Sequence, residues 1–269
     1  MTTAASFRAR LLARQTLVGT FLKTPTGHGV EIIGDAGFDF VVIDQEHAPF
    51  DRSSTDVALA IAHARGLPAL VRVAGPENIL SVLDGGAAGI LMPHVASVEQ
   101  ARAVVAACRY RGGRGFATST RAGRYTAVPI WEHIDRADAE TVVIAQIEDV
   151  AALPHAGAIA AVEGVDSLFI GRGDLTAAFG DRTSDRQVRE ASDTVAAAAR
   201  GAGKVVSVHT GSAGEGAYLS GLGATVFVLS SDQGFLRQGA LASLGALRQA
   251  LEGGGSEGGS EDPPLRVPA

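Results

Sequence analysis

The chain has 269 residues, 46% of them hydrophobic and 19% charged, and its formal net charge is −6. That length can bury a large core, and roughly 250 residues is ordinary for one α/β barrel. The acidic balance argues against a nucleic-acid or anionic-membrane partner, and no apolar run approaches the ~20 residues of a membrane span. Cys108 is the single cysteine, which precludes an intrachain disulfide and points to a reducing cytoplasm.

Residues 1–14 carry Arg8, Arg10 and Arg14, and no acidic residue precedes Glu31. A transit peptide has that bias. Phe7, Leu11 and Leu12 nevertheless suit a short amphipathic helix closing the bottom of a barrel, and that reading is preferred. Eight short apolar runs follow: Leu17–Phe21, Phe38–Ile43, Ala69–Val73, Gly89–Met92, Thr141–Ile147, Ser167–Ile170, Lys204–Val208 and Thr225–Leu229. Several are almost wholly Val, Ile, Leu or Phe, as in parallel strands covered on both faces. Helical stretches lie between them. Ser53 or Ser54 could cap Thr55–Arg65, Gly75-Pro76 opens Glu77–Leu83, and Ser97 begins a helix to Cys108. Strand–helix alternation repeated eight times predicts an α/β fold of the (β/α)8 barrel type, a single domain over residues 1–252. A doubly wound open sheet is the runner-up, but no GxGxxG follows the first strand. The Pro/Gly/Ser-rich segment 253–269 predicts a disordered tail. Between Arg109 and Glu140 the rhythm breaks, with Arg109, Arg111, Arg114, Arg121 and Arg124 among glycines. Such a connection reads as a lid or oligomer contact, and its arginines as phosphate binders or as a partly solvated basic loop.

The exits of barrel strands are where chemistry is built, and here they are polar. The run 38–43 leads directly into Asp44, Glu46 and His47. A histidine beside carboxylates reads either as a general base with an orienting partner or as part of a charged cluster ahead of a helix cap at Asp51 or Ser53. Arg72 lies inside an apolar run, which is costly unless it meets an anion, a substrate carboxylate or enolate, or a structural Asp or Glu. Glu148 and Asp174 follow adjacent strands, ~4.8 Å apart, so their carboxylates can converge on one Mg2+, Mn2+ or Co2+ ion. Taken singly, either could cap a helix, Asp174 that of Leu175–Phe179. Gly171 and Gly173 would let backbone N–H groups approach a substrate carboxylate. By spacing alone Asp84 is a surface residue, and His94 and His209 are structural or supporting residues.

At these residues the chain resembles the HpcH/HpaI aldolase family of metal-dependent class II pyruvate aldolases. The matching pieces are Gly19-Thr20-Phe21, Asp44-Gln45-Glu46-His47-Ala48-Pro49, Val71-Arg72-Val73, Val82-Leu83-Asp84-Gly85-Gly86-Ala87, Gln146-Ile147-Glu148 and Phe169-Ile170-Gly171 through Asp174-Leu175. They run in order over about residues 17 to 240. The resemblance implies Glu148 and Asp174 as metal ligands, Gln146 lining the pyruvate pocket and Arg72 holding the keto oxygen. It implies His47 as a base acting through water, with Asp84 as its acidic partner, at times from a neighbouring subunit. It also implies a hexamer built as a trimer of dimers exchanging a C-terminal helix.

The expected reaction is reversible cleavage of a 4-hydroxy-2-oxo acid to pyruvate and an aldehyde through a metal-stabilised enolate, with Asp84 or Asp44 orienting His47. Two departures bear on the aldehyde half of the pocket. After strand six the family usually has Gly-Pro-x-Asp, and here Arg172-Gly173 fill its middle between Gly171 and Asp174; Phe21 with Lys23 stand where many members carry Trp. Lys23 also raises a Schiff-base alternative. The rival functions are an acyl-CoA lyase like the citrate lyase β subunit and a non-catalytic barrel that binds an oxo acid.

Overall fold

A computed structural model describes residues 4–180 and 185–253. Eight parallel strands close into a barrel in sequence order: β1 (Leu17–Leu22), β2 (Phe40–Asp44), β3 (Ala69–Arg72), β4 (Gly89–Met92), β5 (Val142–Ile147), β6 (Ser167–Ile170), β7 (Val205–Thr210) and β8 (Ala224–Ser231). Each matches a predicted run to within a few residues at either end. The helices are α1 (Ala4–Leu12), α2 (Gly27–Asp35), α3 (Arg52–Arg65), α4 (Ile79–Asp84), α5 (Val98–Cys108), α6 (Ile130–Glu140), α7 (Ala156–Ala160), α8 (Arg172–Phe179), α9 (Asp185–Gly201), α10 (Ala213–Gly221) and α11 (Asp232–Gly253). No described helix is long and apolar enough to cross a membrane. Residues to Asp232 form one compact unit and those from Gln233 a second. Of the tail expected over 253–269, Gly253 closes α11 and 254–269 lie outside the described residues.

Side chains alternate along each strand, and the two sets pack in different layers. Phe21, Phe40, Val42, Leu70, Leu91, Ile144 and Phe169 share the interior cluster with Phe7 and Leu11 of α1. Ile147, Leu168, Ile170, Val206 and Val208 pack outward against residues of α7 and α9 such as Ile159 and Val195. The interior parity then reaches Asp44, Arg72 and Gln146 at the upper ends of β2, β3 and β5. An apolar floor thus lies beneath a polar mouth.

The expected N-terminal plug forms, with Leu12 left 46% exposed while Phe7 and Leu11 are fully buried. Phe7 stacks on Phe40 with centroids 5.3 Å apart. Arg8 clamps α1 by donating two hydrogen bonds to Asp166, of 3.1 and 2.7 Å. Phe40 fits only because Gly19 faces it, where a Cβ would lie 2.6 Å from its ring.

Three local expectations are corrected. Helix α3 starts at Arg52 and not Thr55, and of the caps weighed Asp51 holds and Ser53 and Ser54 do not: the Asp51 carboxylate reaches the Ser54 N–H at 2.7 Å in a capping box. A 3-10 turn at Pro76–Asn78 precedes α4, so the helix starts later than the Gly-Pro signal suggested. The helix after β6 begins at Arg172, which places Asp174 inside its first turn and not at its cap. The arginine-rich connection contains α6, and several of its guanidinium groups pair with acids: Arg111 with Asp135 and Asp138, Arg114 with Asp84, and Arg121 with Asp56. Those pairs displace the phosphate-binding reading for these three arginines.

Because Phe7 is wholly buried against Phe40, Phe7→Ala should lower unfolding free energy by about 3–5 kcal/mol. Urea denaturation reads this directly; a loss under 1 kcal/mol would show that α1 is not part of the barrel's core.

Candidate active site

Asp44 ends β2 with its side chain fully buried, directly beside Arg72 in the β2–β3 register. Arg72 Nε donates to Asp44 Oδ1 at 2.8 Å and Nη2 to Oδ2 at 2.6 Å, a two-pronged pair. Lys23 Nζ stands 3.1 Å from the same Oδ2. The Glu46 and His47 backbone N–H groups each reach Asp44 Oδ1 at 3.2 Å. Burial alone would push the Asp44 carboxyl up. The Arg72 bonds and charge, the His47 N–H and Lys23 outweigh it and hold the group below its ordinary value. Arg72 is therefore held in place, with its guanidinium 4.6 Å above the Phe21 ring.

Acidic and histidine side chains follow directly on the strand ends. Glu46 lies two residues beyond Asp44, the end of β2, His94 two beyond Met92, the end of β4, and Glu148 one beyond Ile147, the end of β5. Arg72 Nη1 is 3.3 Å from Glu46 Oε2, and Glu46 Oε1 is 3.4 Å from His94 Nε2. His94 Nδ1 is 3.4 Å from Glu148 Oε1. Ligand atoms of Glu46, His94 and Glu148 all lie within 4.8 Å of one another. His94 has φ 54°, a left-handed conformation uncommon outside glycine. In that conformation its N–H donates to Glu148 Oε1 at 2.8 Å. Burial pushes the His94 ring down, but Glu148, Asp149 and Glu46 outweigh that and hold it above its ordinary value.

Glu148 is 1% exposed. Gln146 Nε2 donates to its Oε2. Burial pushes its carboxyl up to about 7, against the lowering from Gln146 and the His94 N–H, and the Asp174 carboxyl hydrogen-bonded to it adds to the rise. Gly171 permits this crowding, since a Cβ there would sit 2.3 Å from Glu148 Cβ. At Gly173 a Cβ would meet nothing within 4 Å, so backbone access there is open.

The structure thus brings together Arg72, Gln146, Glu148, Gly171 and Asp174. His47 stands at the rim, its side chain 52% exposed and its Nε2 3.7 Å from Glu46 Oε2. Asp84 lies elsewhere. Its Oδ1 accepts from Arg114 Nη2 at 2.6 Å, and Arg114 in turn stacks on Tyr110. Asp84 also lines a cavity of about 380 Å3 with Gln45, Arg52, Arg121 and Tyr125. Sequence reasoning had set His94 aside as structural and placed Glu46 outside the metal set. A pattern of acid or histidine two residues beyond a strand end would have found both.

The donor set fits a divalent cation. Glu148 is a desolvated carboxyl whose pKa the neighbouring Asp174 helps to raise, and Gln146 Oε1 is buried without a partner among the described residues. Oxygen donors with one imidazole suit Mg2+, Mn2+ or Co2+.

The sequence model of the HpcH/HpaI aldolase/citrate lyase family matches residues 17–238. The chain belongs to that family. It is 41% identical over 181 residues to a hydroxypyruvate/pyruvate aldolase of Cupriavidus necator, covering 65% of this chain and 66% of the relative. A hydroxypyruvate/pyruvate aldolase of Delftia acidovorans is 34% identical over 252 residues, 91% of this chain and 93% of that protein. A solved HpcH/HpaI aldolase/citrate lyase family protein from Burkholderia cenocepacia superposes with a TM-score of 0.85 at 29% identity, covering 91% of this chain and 99% of that one.

Two outcomes follow from the burial. Arg72→Ala strands the fully buried Asp44 charge and should cost about 3–5 kcal/mol of stability by chemical denaturation; a loss below 1 kcal/mol would contradict the pairing. A raised Glu148 pKa means the folded chain holds that proton better than the unfolded chain. Its stabilisation is therefore complete below the ordinary 4.5 and lost as pH climbs through about 7. In metal-free buffer, Glu148→Gln should gain on the parent by up to roughly 3 kcal/mol between pH 5 and pH 8. A difference in melting temperature that stays flat across that range would refute the shift.

Proposed function

We propose that this chain is a divalent-metal-dependent aldolase that reversibly cleaves 4-hydroxy-2-oxo acids to pyruvate and an aldehyde. The carrying observation is one mouth that joins an anchored guanidinium, Arg72, to a desolvated carboxylate, Glu148, through Glu46 and His94. The pyruvate aldolases among its relatives support pyruvate as the common product.

Glu148 and Asp174 would hold the ion, with Glu46 and His94 within reach of it. When bound, Mg2+, Mn2+ or Co2+ supplies Lewis-acid polarisation of the 2-oxo group. In cleavage the C3–C4 bond breaks, its electron pair runs toward the 2-oxo oxygen, and the proton of the 4-hydroxyl leaves. Arg72 presents its Nη1 edge to the oxygen that gains charge, and Asp44 keeps that edge from swinging away. Because the guanidinium is fixed before the reaction, little reorganisation is needed as the charge develops. His47, at the wet rim, takes the hydroxyl proton through water and is positioned to return one to C3. Gln146 and the Gly171 backbone border the pyruvate end. Lys23 Nζ is ion-paired to the buried Asp44 carboxylate, which engages the amine a Schiff base would use.

Asp84 is occupied by Arg114 within its own chain, so its service to a His47 would come from a neighbouring copy. A homohexamer, a trimer of dimers, is the assembly proposed. It is supported by α11, whose Leu236, Leu241, Leu244, Leu247 and Leu251 are each exposed, and by exposed Trp131 and Tyr125 near the arginine-rich connection. The proposed location is the cytoplasm.

Pyruvate release from a panel of 4-hydroxy-2-oxo acids tests the reaction. EDTA should suppress it, Mg2+, Mn2+ or Co2+ should restore it, and Glu148→Ala should reduce kcat about 1,000-fold or more. Undiminished turnover in EDTA, together with borohydride trapping of pyruvate on Lys23, would overturn the metal reading.

A further inference from the structure

The two oxygens of Glu148 face different parts of the mouth. Oε2 accepts from Gln146 Nε2 and lies on the β6 side, where a Cβ at Gly171 would come within 2.9 Å of it and where α8 carries Asp174. Oε1 faces the loop after β4. It accepts the His94 N–H at 2.8 Å and lies 3.4 Å from His94 Nδ1. Pairing with Asp174 therefore accounts for one face of this carboxylate and leaves the other.

That other face has a donor set of its own. Glu46 Oε1 lies 3.4 Å from His94 Nε2, while Glu46 Oε2 is turned to Arg72 Nη1. One ligand atom from each of Glu46, His94 and Glu148 fits within 4.8 Å, and that set does not include Asp174. A separation of about 3.4 Å is the edge of a tetrahedral set whose bonds are ~2.0–2.1 Å. Both oxygens of Asp149 lie 3.3 Å from His94 Nδ1. A carboxylate placed there accepts the Nδ1–H, fixes the tautomer and leaves the Nε2 lone pair for an ion, as behind metal-bound histidines generally. Charge points the same way. Glu46, Glu148 and Asp149 gather about one imidazole, and the guanidinium beside them, Arg72, already gives two hydrogen bonds to Asp44. The His94 side chain is 54% exposed, so the set is open to solvent on one side.

We propose that Glu46, His94 and Glu148 Oε1 form a second divalent-cation site, separate from that of Glu148 and Asp174, with Glu148 bridging the two and Asp149 orienting the His94 ring. The imidazole sets its preference. A mixed nitrogen and oxygen set favours Co2+ or Zn2+, whereas Mg2+ prefers oxygen donors in octahedral geometry. This inference goes beyond the aldolase reading and shares with it only the Glu148 carboxylate. An ion in this place ties the loop after β2 to the loops after β4 and β5. Its Glu46 ligand is the residue beside the Nη1 edge of Arg72.

The test is a count of Co2+ bound per chain by the metal-free full chain, read by equilibrium dialysis with elemental analysis. The parent should bind two ions. His94→Asn suits the test because asparagine tolerates the left-handed backbone and keeps the amide on Glu148; it should bind one. Excess Mg2+ should displace only the ion held by oxygens, leaving one Co2+ in the parent and none in His94→Asn. Asp149→Asn should weaken the imidazole-bound ion about 10- to 100-fold. A parent count of one, a count of two that persists in His94→Asn, or loss of both ions to Mg2+ overturns the second site. Asp174→Asn should remove the other ion. A count that falls in His94→Asn but stays at two in Asp174→Asn upholds the second site and overturns the Glu148–Asp174 pairing of the aldolase reading.

Discussion

A fully buried carboxylate, Asp44, sets the terms for everything around it. Stranded without partners in the barrel interior, it would be among the most destabilising groups in the chain. Arg72, Lys23 and two backbone N–H groups converge on it from three successive segments. The loop 44–47 is thereby folded over the end of β2, and Arg72 is locked at a fixed height in the mouth. The apolar floor below keeps water from loosening these contacts. Site and core are continuous: the alternation that buries Val42 and Leu70 also aims Asp44 and Arg72 inward.

That continuity explains why so much was legible in the sequence. The runs of Val, Ile and Leu marked the strands because both faces of a parallel barrel strand are covered. The polar residues ending those runs marked the mouth. Arg72 stood out against its apolar run, and the structural reading weighed for it is met: it pairs with Asp44 and has Glu46 at its other edge. The Phe38 run was read two residues too early because Phe38 was counted into the apolar stretch across Asp39. In fact Asp39 precedes β2 and accepts the Val18 N–H at 2.9 Å, tying the entrance of β2 to β1.

What escaped depended on partners distant in sequence or on backbone conformation. Asp84 looks like the end of a surface helix until Arg114 folds onto it. Arg114 and Arg121 of the long connection looked like part of a basic patch because the acids that answer them, Asp84 and Asp56, belong to earlier helices. The position of His94 two residues past β4 was legible, but its contacts were not, because they follow from its positive φ after Pro93. Propensity does not encode such a conformation at a histidine. It persists where the surroundings fix it, which is common at functional sites.

His94 thus performs two services through separate parts of its structure. The amide that steadies Glu148 belongs to the backbone and depends on φ alone. The imidazole that approaches Glu46 and Glu148 belongs to the side chain. Asparagine and glycine tolerate the same left-handed geometry, so the ring can be exchanged for another group while the amide stays on the carboxylate. The fold can therefore vary the basicity and softness of this corner of the site without surrendering the bond that positions Glu148.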